Sequence, residues 1–529
     1  MPSTHLSLLL LVFTLPACFP DAPSKTSDAT GGLDDTSVVD SETPPDTPAA
    51  ETDTAEECVG GCGHLDGSCI VGVCEAGTCV ARAAADDTDC DDGDACTRHD
   101  SCLAGQCVGS DLVTCVASSP CHEVGVCDPT SGVCSNPEKP FDAPCDSGTS
   151  YPGFCRDSEC RPRMVAISES RTCLLIHGDV RCWIGDVVAK DGPLYTFELP
   201  VEEVAVGHEA TCVRLSDDTV RCWGSGPVAG GSDAATVTPL PAGRAKSIAV
   251  GPDYACIVSV GDQGVRCWGA VKLLDPSGSD TPIAYASTRD LNPVPLLNPA
   301  VSVSAGYAHV CAVDTLGKIW CWGSGQLGGL GLGSTTDRPA YYPAGLQSTP
   351  NLLQAVASQA STGQNWSCGL SDAGNVRCWG QLPSYGDGRI YGDDELGSLG
   401  GDISLGGRII RLSRNYGRSR HVCAIREDGA VICWGTGVLP LIQFTGYLGY
   451  EAGESIGDDE PAVTGGPVDV GEPAAFVAVG GSRFVDGTCA IGVSGKLHCW
   501  GAAGYTGYGD GVDRGAVPGT MPPGDVPFE

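Results

Sequence analysis

The chain has 529 residues, 74 of them glycine, and a formal net charge of −36 at pH 7. Abundant glycine with few aromatic residues favours many short strands and loops in two or three domains. The acidic excess argues against nucleic-acid binding, which needs basic patches to neutralise phosphates. The 31 cysteines predict disulfides in an oxidising compartment.

Residues 1–17 have the pattern of a secretory signal peptide, because Leu6 to Leu15 form an apolar core too short to span a membrane. The sequence Leu15-Pro-Ala-Cys18 resembles a lipobox, where signal cleavage leaves a lipidated cysteine. Lipidation of Cys18 would account for the one cysteine outside two even-numbered groups. The alternative is an ordinary signal peptide, with secretion in soluble form. Phe19, where many lipoproteins of the bacterial inner membrane carry aspartate, implies the outer membrane or cell surface.

Residues 18–57 are rich in Asp, Glu, Thr, Ser and Pro and poor in large apolar residues. Such a segment cannot bury enough surface to offset the entropy cost of ordering it. We therefore predict a disordered acidic tether, and no transmembrane helix elsewhere in the chain. Contact with the membrane is expected through the lipid anchor alone.

Residues 58–160 contain sixteen cysteines and few large apolar residues, so disulfides must replace a hydrophobic core. The sequence from Cys90 to Cys107, with cysteines also at Cys96 and Cys102, resembles small extracellular cysteine-rich repeats of the slime-mould type. The sequence does not fix the connectivity of the bridges. Zinc binding is the alternative use of closely spaced thiolates, but in an oxidising compartment these cysteines should pair instead.

An acidic run within this region could hold calcium, which prefers oxygen ligands at alternate positions. The helix-loop-helix calcium motif does not fit, because its glycine would fall on Asp92 and its closing glutamate on Arg98. The alternative is a solvated acidic loop, and no metal site is assigned. The residues concerned are Asp87, Asp89, Asp91, Asp92 and Asp94.

From residue 161 onward one pattern recurs, and its clearest copy runs from Cys311 to Gly323. Val313 and Ile319 are strand formers on either side of the turn signal Asp314-Thr-Leu-Gly. This predicts a β-hairpin with facing cysteines, whose Cβ atoms would lie about 4.5–5.5 Å apart, close enough for a disulfide after slight adjustment.

The pattern occurs seven times, with the paired cysteines 9, 10 or 11 positions apart. The pairs are Cys173/Cys182, Cys212/Cys222, Cys256/Cys267, Cys311/Cys321, Cys368/Cys378, Cys423/Cys433 and Cys489/Cys499. A tryptophan follows each second cysteine, at Trp183, Trp223, Trp268, Trp322, Trp379, Trp434 and Trp500. Because side chains alternate along a strand, we predict that each sheet turns its disulfide to one neighbour and its tryptophan to the other.

Two short sequences carry a family resemblance: Gly306-Tyr-Ala-His309-Val-Cys311-Ala-Val, and the glycine-rich stretch that follows Cys321-Trp-Gly. Both resemble the repeat of the regulator of chromosome condensation family. The resemblance implies an all-β fold, a seven-bladed β-propeller over residues 161–529, behind a disulfide-rich, loop-dominated region. The nuclear founder of that family acts on a small GTPase, which an exported protein is not expected to meet.

Several polar groups are candidates for binding. Arginines beside four of the tryptophans could stack on them or reach solvent: Arg181, Arg221, Arg266 and Arg377. Two similar loops carry acidic corners, which are solvated or recruit a cation or a basic partner: Asp393, Asp394 and Glu395; Asp458, Asp459 and Glu460. Tyrosines in the variable connections are possible interface anchors or caps of the blades: Tyr341, Tyr342, Tyr385, Tyr391, Tyr447, Tyr450, Tyr505 and Tyr508.

The sequence contains no motif of an enzyme active site, and no catalytic residue or cofactor is predicted. His309 and His421 occupy one repeated position, which favours packing over catalysis; His208 lies in a lead-in to another copy. The leading hypothesis is an exported lipoprotein that binds an envelope or extracellular protein through propeller loops. The alternatives are an envelope polysaccharide-binding protein or lyase, and a structural surface-display protein. The sequence does not identify the binding residues.

Overall fold

The computed structural model describes residues 58, 60–140, 143–147, 151–156, 158–185, 187–229, 243–270, 291–340, 356–436, 446–451, 454–482 and 486–528. Cys18, the signal peptide and the tether lie outside these residues. The chain divides into two compact units, residues 1–84 and 85–529. The boundary predicted at residue 160 falls inside the second unit and stays a prediction. No helix among the described residues is long and apolar enough to cross a bilayer.

The first unit is a small hairpin. Strands β1 (Ile70–Glu75) and β2 (Thr78–Ala83) pair antiparallel. Most of its side chains are exposed or half-buried, so covalent bridges take the place of a core. Two disulfides tie the hairpin to the segment before it, Cys58–Cys74 and Cys62–Cys79.

The second unit begins with more disulfide-braced hairpins, and all sixteen cysteines of residues 58–160 are disulfide-bonded. None of them therefore offers a thiolate to zinc. The strands are β3 (Thr97–Leu103), β4 (Gln106–Leu112), β5 (Pro144–Cys145), β6 (Gly153–Arg156) and β7 (Glu159–Pro162). The bridges are Cys90–Cys107, Cys96–Cys127, Cys115–Cys134, Cys121–Cys155 and Cys145–Cys160.

Seven further sheets follow among the described residues. The first three contain β8 (Met164–Ile167), β9 (Thr172–Ile176), β10 (Asp179–Trp183) and β11 (Leu194–Tyr195); β12 (Val201–Val206), β13 (Ala210–Leu215) and β14 (Val220–Gly224); β15 (Ala245–Val250), β16 (Tyr254–Ser259) and β17 (Val265–Gly269). The fourth and fifth contain β18 (Ala300–Ala305), β19 (His309–Asp314) and β20 (Ile319–Gly323); β21 (Ala357–Thr362), β22 (Trp366–Ser371) and β23 (Val376–Gly380).

One extended stretch of chain, interrupted at Ser413, supplies a strand to each of the last two sheets. The sixth contains β24 (Ile409–Leu412), β26 (His421–Arg426) and β27 (Val431–Gly435), and the seventh contains β25 (Arg414–Gly417), β28 (Ala474–Gly481), β29 (Asp486–Gly492) and β30 (Leu497–Gly501). After Ser413 the chain leaves the sixth sheet, and β25 pairs in parallel with β28. This pairing adds backbone hydrogen bonds between neighbouring sheets, in addition to side-chain packing.

In the part of the chain that the structure describes, helices are confined to single turns in the connections. Two of these are α-helical, α1 (Gly226–Ala229) and α2 (Ala503–Thr506). The others are 3-10 turns at Gly63–Leu65, Ala189–Asp191, Gln326–Gly328, Gly397–Gly400 and Ala462–Gly465. The all-β class predicted from the sequence is therefore confirmed.

The seven sheets form a ring. The first strands β8, β12, β15, β18, β21 and β24 contact one another in that order, β26 of the sixth sheet contacts β28 of the seventh, and β28 contacts β8 of the first. Each of the seven sequence repeats forms the hairpin of one sheet. Face-to-face packing of short antiparallel sheets around an axis is the architecture of a β-propeller. We therefore interpret the ring as a β-propeller, and the number of seven blades stays a prediction.

In each hairpin the two cysteines lie opposite each other, as their spacing predicts. Cys311, for example, pairs with Cys321 across β19 and β20. In the chain-entropy model, closing a loop of this size stabilises the fold by about 2–3 kcal/mol. A disulfide joins every predicted pair: Cys173–Cys182, Cys212–Cys222, Cys256–Cys267, Cys311–Cys321, Cys368–Cys378, Cys423–Cys433 and Cys489–Cys499.

The Cα atoms of the facing cysteines are closer than those of an ordinary antiparallel pair. The Cα atoms lie 4.0 Å apart in Cys173–Cys182 and in Cys212–Cys222, and 4.1 Å apart in Cys256–Cys267. Facing residues of an unbridged antiparallel pair have Cα atoms about 4.5–5.5 Å apart. Each bridge therefore draws its two strands together. The turn absorbs the different spacings of 9, 10 and 11 positions, so the second cysteine stays opposite the first.

The packing between sheets confirms the prediction about their two faces. The disulfide Cys311–Cys321 lies in one apolar cluster with Trp379 of the following sheet, whereas Trp322 belongs to the cluster of the preceding sheet. The same relation places Trp434 with the fifth disulfide and Trp500 with the sixth. Each buried indole therefore covers the disulfide of the sheet before it.

The indole nitrogens add a directional bond to this packing. Trp379 Nε1 donates to Gly329 O at 3.0 Å, and Trp183 Nε1 donates to Tyr505 O at 3.2 Å. The second bond joins the first sheet to the connection after the last, so it helps close the ring. Gly331 leaves room for the indole, because a Cβ there would lie 2.8 Å from Trp379 Cδ1 and its φ is +71°.

The indole hydrogen bond can be measured with a matched pair of variants. Trp379 and Trp322 are equally buried, but Trp322 Nε1 has no hydrogen-bond partner among the described residues. We expect Trp379→Phe to lower the free energy of unfolding by about 1–3 kcal/mol more than Trp322→Phe, because only the first substitution breaks a bond. Thermal and denaturant melts of the oxidised protein check this, and equal losses would contradict it.

Candidate functional site

Three of the tyrosines in the variable connections cap the outer strands of their sheets. The Tyr385 hydroxyl lies 2.8 Å from Cys378 O and accepts a hydrogen bond from Cys378 N at 3.2 Å. Tyr450 repeats the contact on Cys433, and Tyr508 accepts from the amide of Cys499. Burial raises the pKa of Tyr450 and of Tyr508 to about 12. The hydroxyls of these three side chains therefore cap the sheets, which is one of the two predicted roles.

The second cysteines of the first three repeats have a structural role as well. Cys182, Cys222 and Cys267 lie on the third strands β10, β14 and β17, and at most 4% of their surface is exposed. Because each is bonded to its partner cysteine, none offers a thiolate as a nucleophile or a metal ligand. The amide of Cys182 donates to Pro193 O at 3.1 Å, next to β11, where the later repeats use a tyrosine.

The other tyrosines named in the sequence analysis differ in how far they are buried. Tyr447 and Tyr505 are buried, with 0% and 8% of their surface exposed. Tyr391 is half-buried; its hydroxyl donates to Asp387 Oδ2 at 2.7 Å. Tyr341 and Tyr342 lie outside the described residues. The tyrosines of the loops, as far as the structure describes them, therefore do not form the row of exposed rings that a polysaccharide site would use.

The two repeated histidines join neighbouring sheets. His309 Nε2 lies 2.9 Å from Ser367 Oγ, and His421 Nε2 lies 2.8 Å from Thr488 Oγ1. In both cases the hydroxyl donates to a backbone carbonyl, so the imidazole nitrogen must donate to the hydroxyl. Burial lowers the pKa of His309 to about 4, which keeps the ring neutral at physiological pH.

His421, Asp486 and Thr488 contain the residue types of a catalytic triad, but their arrangement prevents that chemistry. The Asp486 carboxylate lies 3.4 Å from His421 Nδ1, and all three residues are fully buried. The Thr488 hydroxyl gives its proton to Tyr447 O, so it cannot give it to the histidine. The arrangement is a structural link between the sixth and seventh sheets.

The four arginines next to tryptophans have polar partners. Arg266 pairs with Asp262 at 2.7 Å, and Arg377 donates to Asp402 Oδ1 at 3.1 Å. Arg181 donates to Lys190 O at 2.6 Å. Arg221 pairs with Glu198. The side chains of Arg221, Arg266 and Arg377 are 12–18% exposed, so they pair with polar groups and reach solvent only in part.

The two acidic corners have equivalent local structures. Their first aspartates, Asp393 and Asp458, each accept a hydrogen bond from the next backbone amide. Oxygens of Asp393, Asp394 and Glu395 lie within 4.8 Å of one another and could hold a cation. A hydrogen bond to Asp394 raises the pKa of Glu395 to about 7, and nearby negative charges act in the same direction. A bound cation or a shared proton would each relieve the repulsion among these carboxylates.

The aspartates considered for calcium are used in local turns. Asp91, Asp92 and Asp94 accept hydrogen bonds at 2.8–2.9 Å from the amides two residues ahead of them. Such turns are the usual role of aspartate in loops. Asp87 adopts a left-handed backbone conformation with φ of +65°. These turns suit a solvated acidic loop, but oxygens of Asp91, Asp92 and Asp100 also lie within 4.8 Å of one another, so calcium binding stays an open alternative.

One end of the ring is formed by the turns that join the first and second strands of each sheet. We call this surface the turn face, and it comprises residues 168–171, 207–209, 251–253, 306–308, 363–365, 417–420 and 481–482. Hydrogen bonds connect neighbouring turns: Ser170 Oγ to His208 O, Tyr254 OH to Gly306 O, Tyr307 N to Gly363 O, and Gln364 N to Ser419 O, at 2.6–3.0 Å. The turns are thus fixed relative to one another.

Side chains from four sheets meet on the turn face. The Arg418 guanidinium lies 4.0 Å from the centre of the Tyr307 ring, and the two are also hydrogen-bonded. Glu169 Oε1 lies 3.2 Å from His208 Nδ1, and its other oxygen lies 4.0 Å from Arg418 Nε. The His208 side chain is 48% exposed and that of Arg418 is 24% exposed. This cluster offers an aromatic ring and charges of both signs on a rigid surface.

The axis of the ring is occupied by side chains. Arg414 and Tyr151 each form a hydrogen bond with Glu203 Oε1, at 2.8 and 2.7 Å. Tyr416 donates to Val204 O at 3.3 Å. Strand β25 therefore reaches across to the second sheet, and Tyr151 comes from the cysteine-rich region. Burial raises the pKa of Tyr416 to about 12.

The sequence did not reveal the turn-face cluster or the axial network. The identities of Arg418, Tyr307, Tyr151 and Glu203 do not recur from repeat to repeat, and these residues are far apart in the chain. A signal was present for Tyr307 alone, because the turn between the first two strands is part of the family repeat. Its contact with Arg418 depends on the closure of the ring.

The tyrosine caps can be tested with Tyr385→Phe and Tyr391→Phe. Tyr385→Phe removes the partner of the Cys378 backbone groups, and we expect a loss of about 1–3 kcal/mol in unfolding free energy with faster amide exchange at Cys378. Tyr391→Phe removes a contact with an exposed aspartate, so its effect should stay within about 0.5 kcal/mol. Similar losses in both variants would show that the cap is not stabilising.

Comparisons with known proteins agree with the repeat pattern. Residues 300–328 match the regulator of chromosome condensation (RCC1) repeat. The chain is 26% identical to the ultraviolet-B receptor UVR8 of Arabidopsis thaliana over 393 residues, which are 67% of this chain and 81% of the receptor. It is 27% identical to protein pim1 of Schizosaccharomyces pombe over 162 residues, 30% of this chain and 29% of pim1.

Solved structures of yeast Prp20 are also similar to this chain. Yeast RCC1 (Prp20) bound to Kap60 gives a TM-score of 0.48 at 16% identity, covering 66% of this chain and 84% of that chain. Prp20p from Saccharomyces cerevisiae is described with its binding properties to Gsp1p and histones. The comparisons give no support to the predicted absence of a small GTPase partner. Residues 300–328, the segment that matches this repeat, contain the whole fourth sheet and the turn after it.

Proposed function

We propose that the protein is an exported, lipid-anchored interaction protein that presents the turn face to a protein partner. The observation that carries this proposal is the cluster of Arg418, Tyr307, Glu169 and His208, which brings together side chains from four sheets. Arginine and tyrosine are enriched among residues that dominate binding energy at protein interfaces. A rigid scaffold with variable turns is a common arrangement for such sites.

Two features favour a protein partner over a polysaccharide. The ring of Tyr307 is covered on one side by the Arg418 guanidinium, 4.0 Å from its centre, so that side is closed to a sugar ring. The described tyrosines of the loops are caps, are buried or are half-buried. The cluster instead presents charges of both signs, which suit a polar protein surface. We propose an envelope or extracellular protein as the partner, and no catalytic role.

The role of the turn face is tested with variants at the two ends of the ring. Full-length oxidised protein, immobilised, is exposed to envelope extract, and the affinity of the captured protein is measured. Tyr307→Ser combined with Arg418→Ser should weaken binding at least tenfold, because it removes the aromatic and cationic anchors. The control combines Leu316→Ser and Val493→Ser, two side chains that are 60% and 45% exposed. Both lie in turns between second and third strands, at the end of the ring opposite the turn face.

Equal binding by both variants would place the site elsewhere on the molecule. Retention of a polysaccharide without a protein would support the polysaccharide-binding alternative. Absence of any saturable ligand would leave structural display as the remaining account.

The anchor is tested separately with Cys18→Ser. In the native host we expect the wild-type protein in the membrane fraction and the variant in the soluble fraction, because the lipid would be attached to that cysteine. Mass spectrometry of the N-terminal peptide measures the modification directly. An unmodified Cys18, or equal membrane attachment of both proteins, would contradict lipidation.

A further inference from the structure

A cavity of about 250 Å³ lies beside the ring axis, between the first strands of the fourth, fifth and sixth sheets. Its lining includes Ser302 and Ser304 of β18, Gln359 and Ser361 of β21, and the two arginines Arg411 and Arg414. Two more side chains of the lining, Ser358 and Ile410, are exposed, so the cavity is open to solvent there. An apolar cavity of about 150 Å³ holds a benzene molecule, so this volume is sufficient for a substituted six-membered ring.

The charge of this lining is opposite to that of the whole protein. Among its described residues are two guanidinium groups and no carboxylate, although the net charge of the chain is −36. Glu203, which pairs with Arg414, lies behind the lining and is 2% exposed. Burial lowers the pKa of Arg411, and the nearby charge of Arg414 acts in the same direction. An oxyanion in the cavity would therefore interact favourably with the Arg411 guanidinium, while Arg414, whose charge Glu203 partly compensates at 2.8 Å, adds hydrogen-bond donors.

The polar groups of the wall are already oriented by bonds within the protein. The Gln359 side chain forms two hydrogen bonds with the backbone of Leu412, at 2.9 and 3.0 Å. The Ser361 hydroxyl donates to Ser413 O at 2.8 Å, and the Ser358 hydroxyl donates to Leu370 O at 3.2 Å. A hydroxyl that has given away its proton can still accept hydrogen bonds. The serines thus suit a ligand that brings hydroxyl donors of its own.

We infer that the axial cavity binds a small polyhydroxylated anion, a sugar acid or a sugar phosphate. Arg411 and Arg414 donate to its oxyanion, and the serine hydroxyls accept from its hydroxyl groups. The site is separate from the turn face, since none of its lining residues belongs to the turns of that face. The inference therefore does not depend on the proposed protein partner.

Isothermal titration of the full-length oxidised protein tests this site with four probes: glucuronate, glucose 6-phosphate, glucose and inorganic phosphate. We expect saturable 1:1 binding of glucuronate or glucose 6-phosphate, at least tenfold tighter than glucose or inorganic phosphate. The tighter of the first two identifies the anion as carboxylate or phosphate. Absence of binding, equal affinity for glucose, or equal affinity for inorganic phosphate would overturn the inference.

Variants connect the binding to the cavity. Arg411→Gln should weaken it at least tenfold, whereas the control Arg408→Gln, an exposed arginine outside the lining, should leave it unchanged. Arg411 also stacks at 5.7 Å on Phe476, so its loss could disturb folding. Ser302→Leu therefore serves as a second variant, which fills the cavity from a half-buried position and should abolish binding. Unchanged affinity in a folded Arg411→Gln or Ser302→Leu variant would overturn the assignment.

Discussion

The structure depends on one contact that is repeated around the ring, a buried indole against the disulfide of the preceding sheet. Trp379 lies on Cys311–Cys321, and its ring nitrogen donates to a backbone carbonyl of the connection between the two sheets. The disulfide fixes the two strands of one sheet, and the indole fixes the distance and orientation of the next. A three-stranded sheet cannot bury both faces alone, so each sheet is stable only between its neighbours.

Closure of the ring converts this pairwise contact into a cooperative structure. Trp183 covers the disulfide of the seventh sheet and bonds to Tyr505 O, so the first and last repeats have the same relation as any two neighbours. The break at Ser413 adds a second connection, because β25 leaves the sixth sheet and pairs with β28 of the seventh. Because β25 leaves the sixth sheet, Arg414 and Tyr416 lie near the axis, where they contact Glu203 and its neighbour Val204. The axial network is thus a consequence of how the ring is joined.

Periodicity explains which of these features the sequence revealed. The opposition of Cys311 and Cys321 and the opposite direction of Trp322 follow from the two-residue period of a strand, and one copy suffices to derive them. The role of Tyr385 could not be derived in this way, since it depends on where a long connection returns to its own sheet. The position of Tyr151 was even less predictable. By composition it belongs to the cysteine-rich region, yet its ring packs edge-on against Phe476 of the seventh sheet.

The separation of rigid and variable parts connects fold to function. Residues that repeat, such as His309 and His421, are buried and bind the next sheet, so a change there affects stability. Residues that occur once, such as Arg418 and Arg411, lie where the ring meets solvent, at the turn face or beside the axis. The strongly negative chain repels anions in general, and a local group of arginines is therefore needed wherever an anion is to bind. Because the repeats carry the stability, substitution at the single positions can change what is bound while the ring is preserved.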